Sequence, residues 1–254
     1  MELLLPDFAS PTVWISLLTL SFLEIVLGID NIIFISIVAG KLPKSQQRKA
    51  RNIGLLLAMA FRVGLLLCIS WIIGLKDPVV TIPSIAALEI SEISLSYKDL
   101  ILIAGGIFLI IKSTMEIHHK FQKKSESDKK IGVAVAGFGS VILQIVLVDA
   151  VFSFDSILTA VGLVDNVVMM IIAVIVSIAI MMMFAGPVTR IINDHPTLQM
   201  LALTFLIVIG VVLVASGMHQ EVSKSIIYSG LGFSLLVEML NIRLRKNAES
   251  VEGA

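Results

Sequence analysis

The chain has 254 residues, of which 57% are hydrophobic and only 15% charged, where soluble domains carry roughly a quarter. Acidic and basic residues balance at 19 each, so no basic surface for nucleic acid is implied, and the one cysteine, Cys68, excludes an internal disulfide and a thiolate metal cluster. Several apolar runs approach or exceed the roughly 20 residues that cross a bilayer, which places the chain among integral membrane proteins.

The first twelve residues include Glu2 and Asp7 but no Lys or Arg. They are unlike the basic start of a cleavable signal peptide, so the first apolar segment is expected to remain in the protein. Seven spans are predicted, at about 13–39, 53–75, 99–116, 133–162, 164–186, 199–217 and 225–243. Segment 78–95, interrupted by Pro78, Pro83, Glu89 and Glu92, reads as a connection outside the bilayer or lying on it. Every second loop is basic. Lys41, Lys44, Arg48, Lys49 and Arg51 fill the first, Lys120, Lys123, Lys124, Lys129 and Lys130 the third, and Arg190 the fifth, while Arg243, Arg245 and Lys246 lie in the tail. The positive-inside rule then puts the N-terminus outside and the C-terminus in the cytoplasm.

Two spans carry versions of one motif. The first reads Glu24-Ile-Val-Leu-Gly-Ile-Asp30-Asn31, and the fourth reads Asp149-Ala-Val-Phe-Ser-Phe-Asp155-Ser156. Each has carboxylates six residues apart with a small polar residue directly after, and the copies are offset by 125 residues. Three spans separate them, so they cross in opposite directions, as in the inverted repeats of many secondary transporters. The expected architecture is an all-α polytopic bundle forming a single membrane domain. It comprises a first repeat at about 13–116, a second at about 133–217 and an added helix at about 225–243.

A carboxylate at the bilayer centre costs roughly 2.5–3.5 kcal/mol, so four uncompensated ones would cost on the order of 10 kcal/mol. Protonation, a basic partner, a bound cation or a wet cavity must offset that cost. Occurrence in both copies favours a shared function over a chance interhelical lock. On a regular helix Glu24 and Asn31, or Asp149 and Ser156, share a face, whereas Asp30 and Asp155 turn about 120° away. Either the cavity wraps around the helix or the helix loosens, with Gly28 the candidate for loosening in the first copy and Ser153 a weaker one in the second. The candidate ligand set is Glu24, Asp30, Asn31, Asp149, Asp155 and Ser156, all oxygen donors. Such a set suits Mn²⁺, Mg²⁺ or Ca²⁺ better than Zn²⁺ or Cu⁺.

Arg62, in the middle of the second span, is expected to pair with a motif carboxylate or to fill the empty site as a counter-charge. Lys112 and Glu116, late in the third, are further candidate charge partners. The four histidines fall at span ends or loops, and Met181, Met182 and Met183 read as packing or lipid-facing residues. Gly105-Gly106 and the small residues of Gly132–Gly139 are expected to allow close helix packing. No phosphate loop, nucleophile-base pair or HExxH helix is present, so no enzymatic activity is expected.

The paired acidic motifs, with Ser96-Tyr-Lys-Asp99-Leu100, Gly105-Gly106-Ile-Phe108-Leu109, Lys112, Glu116 and Glu238-Met-Leu-Asn241-Ile-Arg243, resemble the TerC family of integral membrane proteins along nearly the whole chain. That resemblance implies a seven-span fold related to the lysine-exporter type and an association with manganese efflux. It also implies metal-pathway roles for Glu24, Asp30, Asp149 and Asp155. One departure is Ile157-Leu158-Thr159-Ala160, where many members have Ile-Pro-Ala after the second Asp-Ser. The proline break expected of the family is therefore absent from the fourth span.

The function expected is divalent-cation transport, most concretely Mn²⁺ export across the inner membrane, with protons as a candidate coupling ion and no resident cofactor. The alternatives are a non-transporting component of a stress or tellurite-resistance complex, and an exporter of a cationic small molecule. The bilayer and the cation are the expected partners. Oligomeric state and protein partners stay open.

Overall fold

The computed structural model describes residues 6–68, 78–82, 93–125, 137–161, 164, 166–220 and 222–252, with the side chains of 29, 30, 82, 93, 123–125, 155, 158–161, 224 and 245–252 outside that description. Within it are seven long helices: α1 (Pro11–Ala39), α2 (Lys44–Leu67), α3 (Tyr97–Ser125), α4 (Phe138–Val161), α5 (Val167–Asp194), α6 (Pro196–Gly217) and α7 (Lys224–Glu252). Six are long and apolar enough to cross a membrane, and the described apolar part of α4 is the shorter stretch Phe138–Phe154. The chain is thus an all-α polytopic membrane protein. Several helices overrun the apolar runs that nucleate them. Thus α2 starts at Lys44 and takes in the basic residues Arg48, Lys49 and Arg51, and α3 continues past His118 and His119.

The connection after α2 carries a small sheet that its prolines and acids did not announce. Strands β1 (Pro78–Ile82) and β2 (Ile93–Ser96) form a two-stranded antiparallel sheet with Ile82 opposite Ile93. Val79-Val80-Thr81-Ile82 and Ile93 supply the β-branched residues that favour a pleated surface. Residues 83–92, including Glu89 and Glu92, lie outside the described residues.

Strand β2 runs straight into α3 through a capping box. The Ser96 backbone N–H and hydroxyl both donate to Asp99 Oδ2, at 2.9 and 2.7 Å, and the Asp99 N–H donates back to Ser96 Oγ at 3.3 Å. These bonds satisfy helix-start donors that the chain would otherwise leave open. Ser96→Ala is therefore expected to cost about 1 kcal/mol, measurable as a lower thermal midpoint in detergent. The far end of α6 meets the same carboxylate. His219 stands in the left-handed region (φ 59°), where the Gln220 N–H donates to the Ala215 carbonyl and the His219 N–H to the Ser216 carbonyl. Glycine usually holds this position. Here the His219 ring lies 3.0 Å from Asp99 Oδ2, an interaction no glycine could make.

The core is built around α1. Phe34, Ile35 and Val38 are completely enclosed, and α1 packs against α2, α4, α5 and α6. Its first half is different: Trp14, Ile15, Leu18 and Phe22 are exposed. A helix apolar on all sides needs partners all round it or lipid, and α1 changes from one to the other along its length. Lipid is the solvent that accommodates α7, which exposes Phe233, Leu236, Met239, Leu240 and Leu244.

Helices α3 and α6 approach each other closely enough for backbone to meet backbone. A Cβ on Gly106 would fall 2.5 Å from the Gly210 carbonyl oxygen, and one on Gly210 would fall 2.8 Å from that of Gly106. Gly105 makes room for Val151. Gly137 and Gly139 have open space around them and do not mediate the tight packing expected of that stretch, while Gly132 lies outside the described residues.

Both motif helices are continuous, so the loosening suggested for α1 at Gly28 does not occur. Gly28 instead accommodates the sulfur of Met181, which a Cβ would approach to 2.4 Å. Met181 is accordingly buried in the core, whereas Met183 is exposed.

Candidate functional site

Three helices bring polar side chains together in the bundle interior. From α1 come Glu24 and Asn31, seven residues apart and so on one face. From α4 come Asp149, Ser153 and Ser156, spaced four and seven residues along another single face. Arg62 comes from α2. All six are buried.

The Arg62 guanidinium joins the two motif copies. Its Nε and Nη2 donate to Asp149 Oδ2 and Oδ1 at 3.1 and 2.7 Å, a two-pronged contact that only a planar fork can make. Its Nη1 donates to Glu24 Oε2 at 2.5 Å. Asp149 also accepts from Asn31 Nδ2 at 3.0 Å and from Ser153 Oγ at 2.9 Å. Asp149 therefore holds four donors, while among the described residues Glu24 accepts from Arg62 alone.

Two features leave room for a further ligand. Asn31 Oδ1 is buried with no hydrogen-bond partner among the described residues, and a buried acceptor left open calls for an explanation. Beside Arg62 lies a cavity of about 30 Å³, lined among others by Phe152, Ser156, Ile209 and Tyr228. Glu24 lines a smaller one, of about 10 Å³, on the side of Met170 and Val174.

Asp30 and Asp155 belong to α1 and α4, and their side chains lie outside the described residues. Among the described residues no group of three His, Cys, Asp or Glu side chains converges as a metal cluster. Ser156 does not bond to Asp149, and its hydroxyl donates to the Ser153 carbonyl at 3.2 Å.

Lys112 and Glu116 do not join this group. Glu116 is buried and pairs with Lys41, just beyond the end of α1. Glu24 and Ala39 are fifteen residues apart, about 22 Å of helix, so that pair belongs to an end of the bundle. Lys112 is half-buried and makes no ion pair among the described residues. Near the same end, Ser36 Oγ lies 2.8 Å from Thr189 Oγ1, to which Arg51 Nη1 donates at 3.0 Å. Sequence reasoning missed this second polar junction, because Ser36 and Thr189 look like ordinary small residues in apolar spans. It also missed Ser153 as a donor, although the i to i+4 spacing from Asp149 was visible.

The sequence matches the family described as Integral membrane protein TerC family over residues 9–252. It is 44% identical over 237 residues to UPF0053 inner membrane protein YoaE of Escherichia coli, covering 93% of this chain and 44% of that protein. A UPF0053 protein of Haemophilus influenzae is 44% identical over 240 residues, covering 94% of this chain and 97% of that protein. UPF0053 protein YegH of Escherichia coli is 43% identical over 233 residues, covering 92% of this chain and 42% of that protein. The chain thus spans less than half the length of YoaE and YegH, and nearly all of the Haemophilus protein. No solved structure matches it.

Proposed function

Because the chain belongs to the TerC family of integral membrane proteins, and so to the multi-pass proteins of the inner membrane, we propose that it transports a divalent metal cation through the buried Glu24–Asp149 pair. The observation that carries this reading is the meeting of those two carboxylates, one from each motif copy, at a single interior point. A chance polar lock needs no duplicated motif. An ion site made by two related halves does.

The donor set supports a hard cation. Carboxylates, an amide oxygen and hydroxyls are the ligands that Mg²⁺, Ca²⁺ and Mn²⁺ prefer. Asn31 Oδ1 is buried and has no donor among the described residues, and a cation would satisfy it where a second hydrogen-bond acceptor could not. Of the three ions, Mn²⁺ is the one the family resemblance implies, and export is the direction. The cavity beside Arg62, about 30 Å³, is on the scale of one water molecule. That size favours a bare ion over a cationic organic molecule, and transport over catalysis on a bulky substrate.

Helix packing supports an inverted 3+3 repeat in which α1, α2 and α3 correspond to α4, α5 and α6. Exchanging the two sets turns the α1–α5 contact into α4–α2, turns α3–α4 into α6–α1, and returns α3–α6, α2–α5 and α1–α4 to themselves. All of these contacts are present. In this reading α7 is an addition, giving seven spans with the N-terminus outside.

The test is Mn²⁺ flux in everted membrane vesicles. Glu24→Gln and Asp30→Asn are each expected to lower flux at least about tenfold, the effect of about 1.4 kcal/mol, with the protein still in the membrane at parental amounts. Parental flux in both variants would defeat the proposal. A second reading has an observation of its own: Arg62 ties the two carboxylates so completely that the cluster could serve as a structural lock in a non-transporting complex. That reading expects Glu24→Gln to lower the unfolding midpoint and no Mn²⁺ flux from the parent protein.

A further inference from the structure

The two halves contribute matching acids but only one arginine. Glu24 and Asp149 occupy equivalent places in α1 and α4, whereas the same offset of 125 carries Arg62 of α2 to Pro187 of α5, and Arg190 of that helix is exposed near its end. A device that merely neutralised each acid would be duplicated with the acid. A single arginine placed between the copies serves both at once.

We propose that Arg62 is a built-in competitor for the transported cation: it fills the carboxylate pair when no ion is bound, and it must leave Glu24 before an ion can enter. This rests on the ion-transport reading given above. The guanidinium stays charged at any pH a protein survives. A divalent ion coordinated by Glu24 and Asp149 with Arg62 in its present position would place like charges within bonding distance of the same oxygens. The two cations therefore exclude each other, and ion entry and arginine release form one event.

The bonding shows which link opens. Asp149 holds the fork by two bonds and is itself braced by Asn31 and Ser153. Glu24 holds it by one. The nearest open space is the cavity of about 30 Å³ that Arg62 itself lines, with the polar side chains of Ser156 and Tyr228 on its wall. A turn of the side chain toward that wall would take Nη1 off Glu24 and set it against hydroxyl groups that can accept its hydrogen bonds. The freed Glu24 oxygens and the buried Asn31 Oδ1, which has no partner among the described residues, are then the groups available to an entering ion.

An internal competitor lowers apparent affinity by the fraction of time the site is free of it. Equilibrium dialysis of the full-length protein in detergent against MnCl₂, with Mn²⁺ flux in vesicles alongside, tests this directly. Arg62→Gln is expected to bind Mn²⁺ at least about tenfold tighter than the parent and to transport it more slowly, since nothing displaces the ion at release. Arg62→Lys keeps the charge but loses the fork, and is expected to fall between the two. A purely structural arginine would instead give weaker binding in both variants.

If the parent binds Mn²⁺ and neither variant binds it more tightly, the competitor proposal is overturned and the transport reading stands. If neither the parent nor the variants bind Mn²⁺, both fall together. Should Arg62→Gln fail to survive extraction, Arg62→Lys decides: tighter binding than the parent supports the proposal, and equal or weaker binding overturns it.

Discussion

Asp149→Ala is expected to destabilise the protein by about 3–5 kcal/mol, the usual result of leaving a buried charge without its partner. The substitution removes two of the three bonds that Arg62 makes to carboxylates and strands the Asn31 amide and the Ser153 hydroxyl as well. Glu24→Ala removes one bond and leaves Arg62 its fork on Asp149, so its cost should be clearly smaller. Asp149→Asn keeps the shape and one acceptor, and should fall between the two. Unfolding midpoints of the three variants in the same detergent give the order. Equal midpoints for Asp149→Ala and Glu24→Ala would show that the arginine is shared evenly, against the geometry.

Gly106→Ala is the second substitution expected to have a large effect, although it adds a single methyl group. The new Cβ would lie 2.5 Å from the Gly210 carbonyl oxygen and 3.0 Å from the Val214 backbone nitrogen. Backbone cannot turn aside as a side chain can, so α3 and α6 must separate along their contact. Overpacking of this kind costs about 1–3 kcal/mol or more. Gly64→Ala provides the control. Nothing lies within 4 Å of its Cβ position, and replacing a helical glycine there should be neutral or stabilising by up to about 1 kcal/mol. Gly28→Ala belongs between them, because the atom in its way is the flexible end of Met181. Thermal unfolding of the three single variants checks the ranking.

The membrane class and the helix positions were legible because a bilayer imposes a length and a composition that few other environments require. The motif acids were legible for the same reason, since Glu24 and Asp149 are too costly in lipid to be incidental. Their partner was only partly so. That Arg62 sits mid-span was visible, but that it reaches both motif copies depends on how α2 crosses α1 and α4, which no local pattern records. Gly28 shows the opposite error. A glycine beside an acidic motif suggested a weakened helix, whereas its role is set by Met181, more than 150 residues away in the chain. The Ser96-x-x-Asp99 box was readable by spacing alone and was passed over as a feature of the family resemblance. Strands β1 and β2 were hidden because the prolines and acids of segment 78–95 obscured two short β-branched runs.

The contact between α3 and α6 has a consequence for how such a protein can move. It is fastened at one end by Asp99 and His219, in the middle by the two glycines, and at the other end by Lys120 and Gln199. In the proposed repeat each helix is the third of its own half, so this contact would rivet the halves together and keep them from rocking as separate bodies. On that reading the α3–α6 pair is a stator assembled from both halves. In the proposed transport cycle, the stroke that carries an ion past Arg62 would be made by α1, α2, α4 and α5 turning against that frame. The boundary between moving and stationary parts would then cut across the proposed repeat.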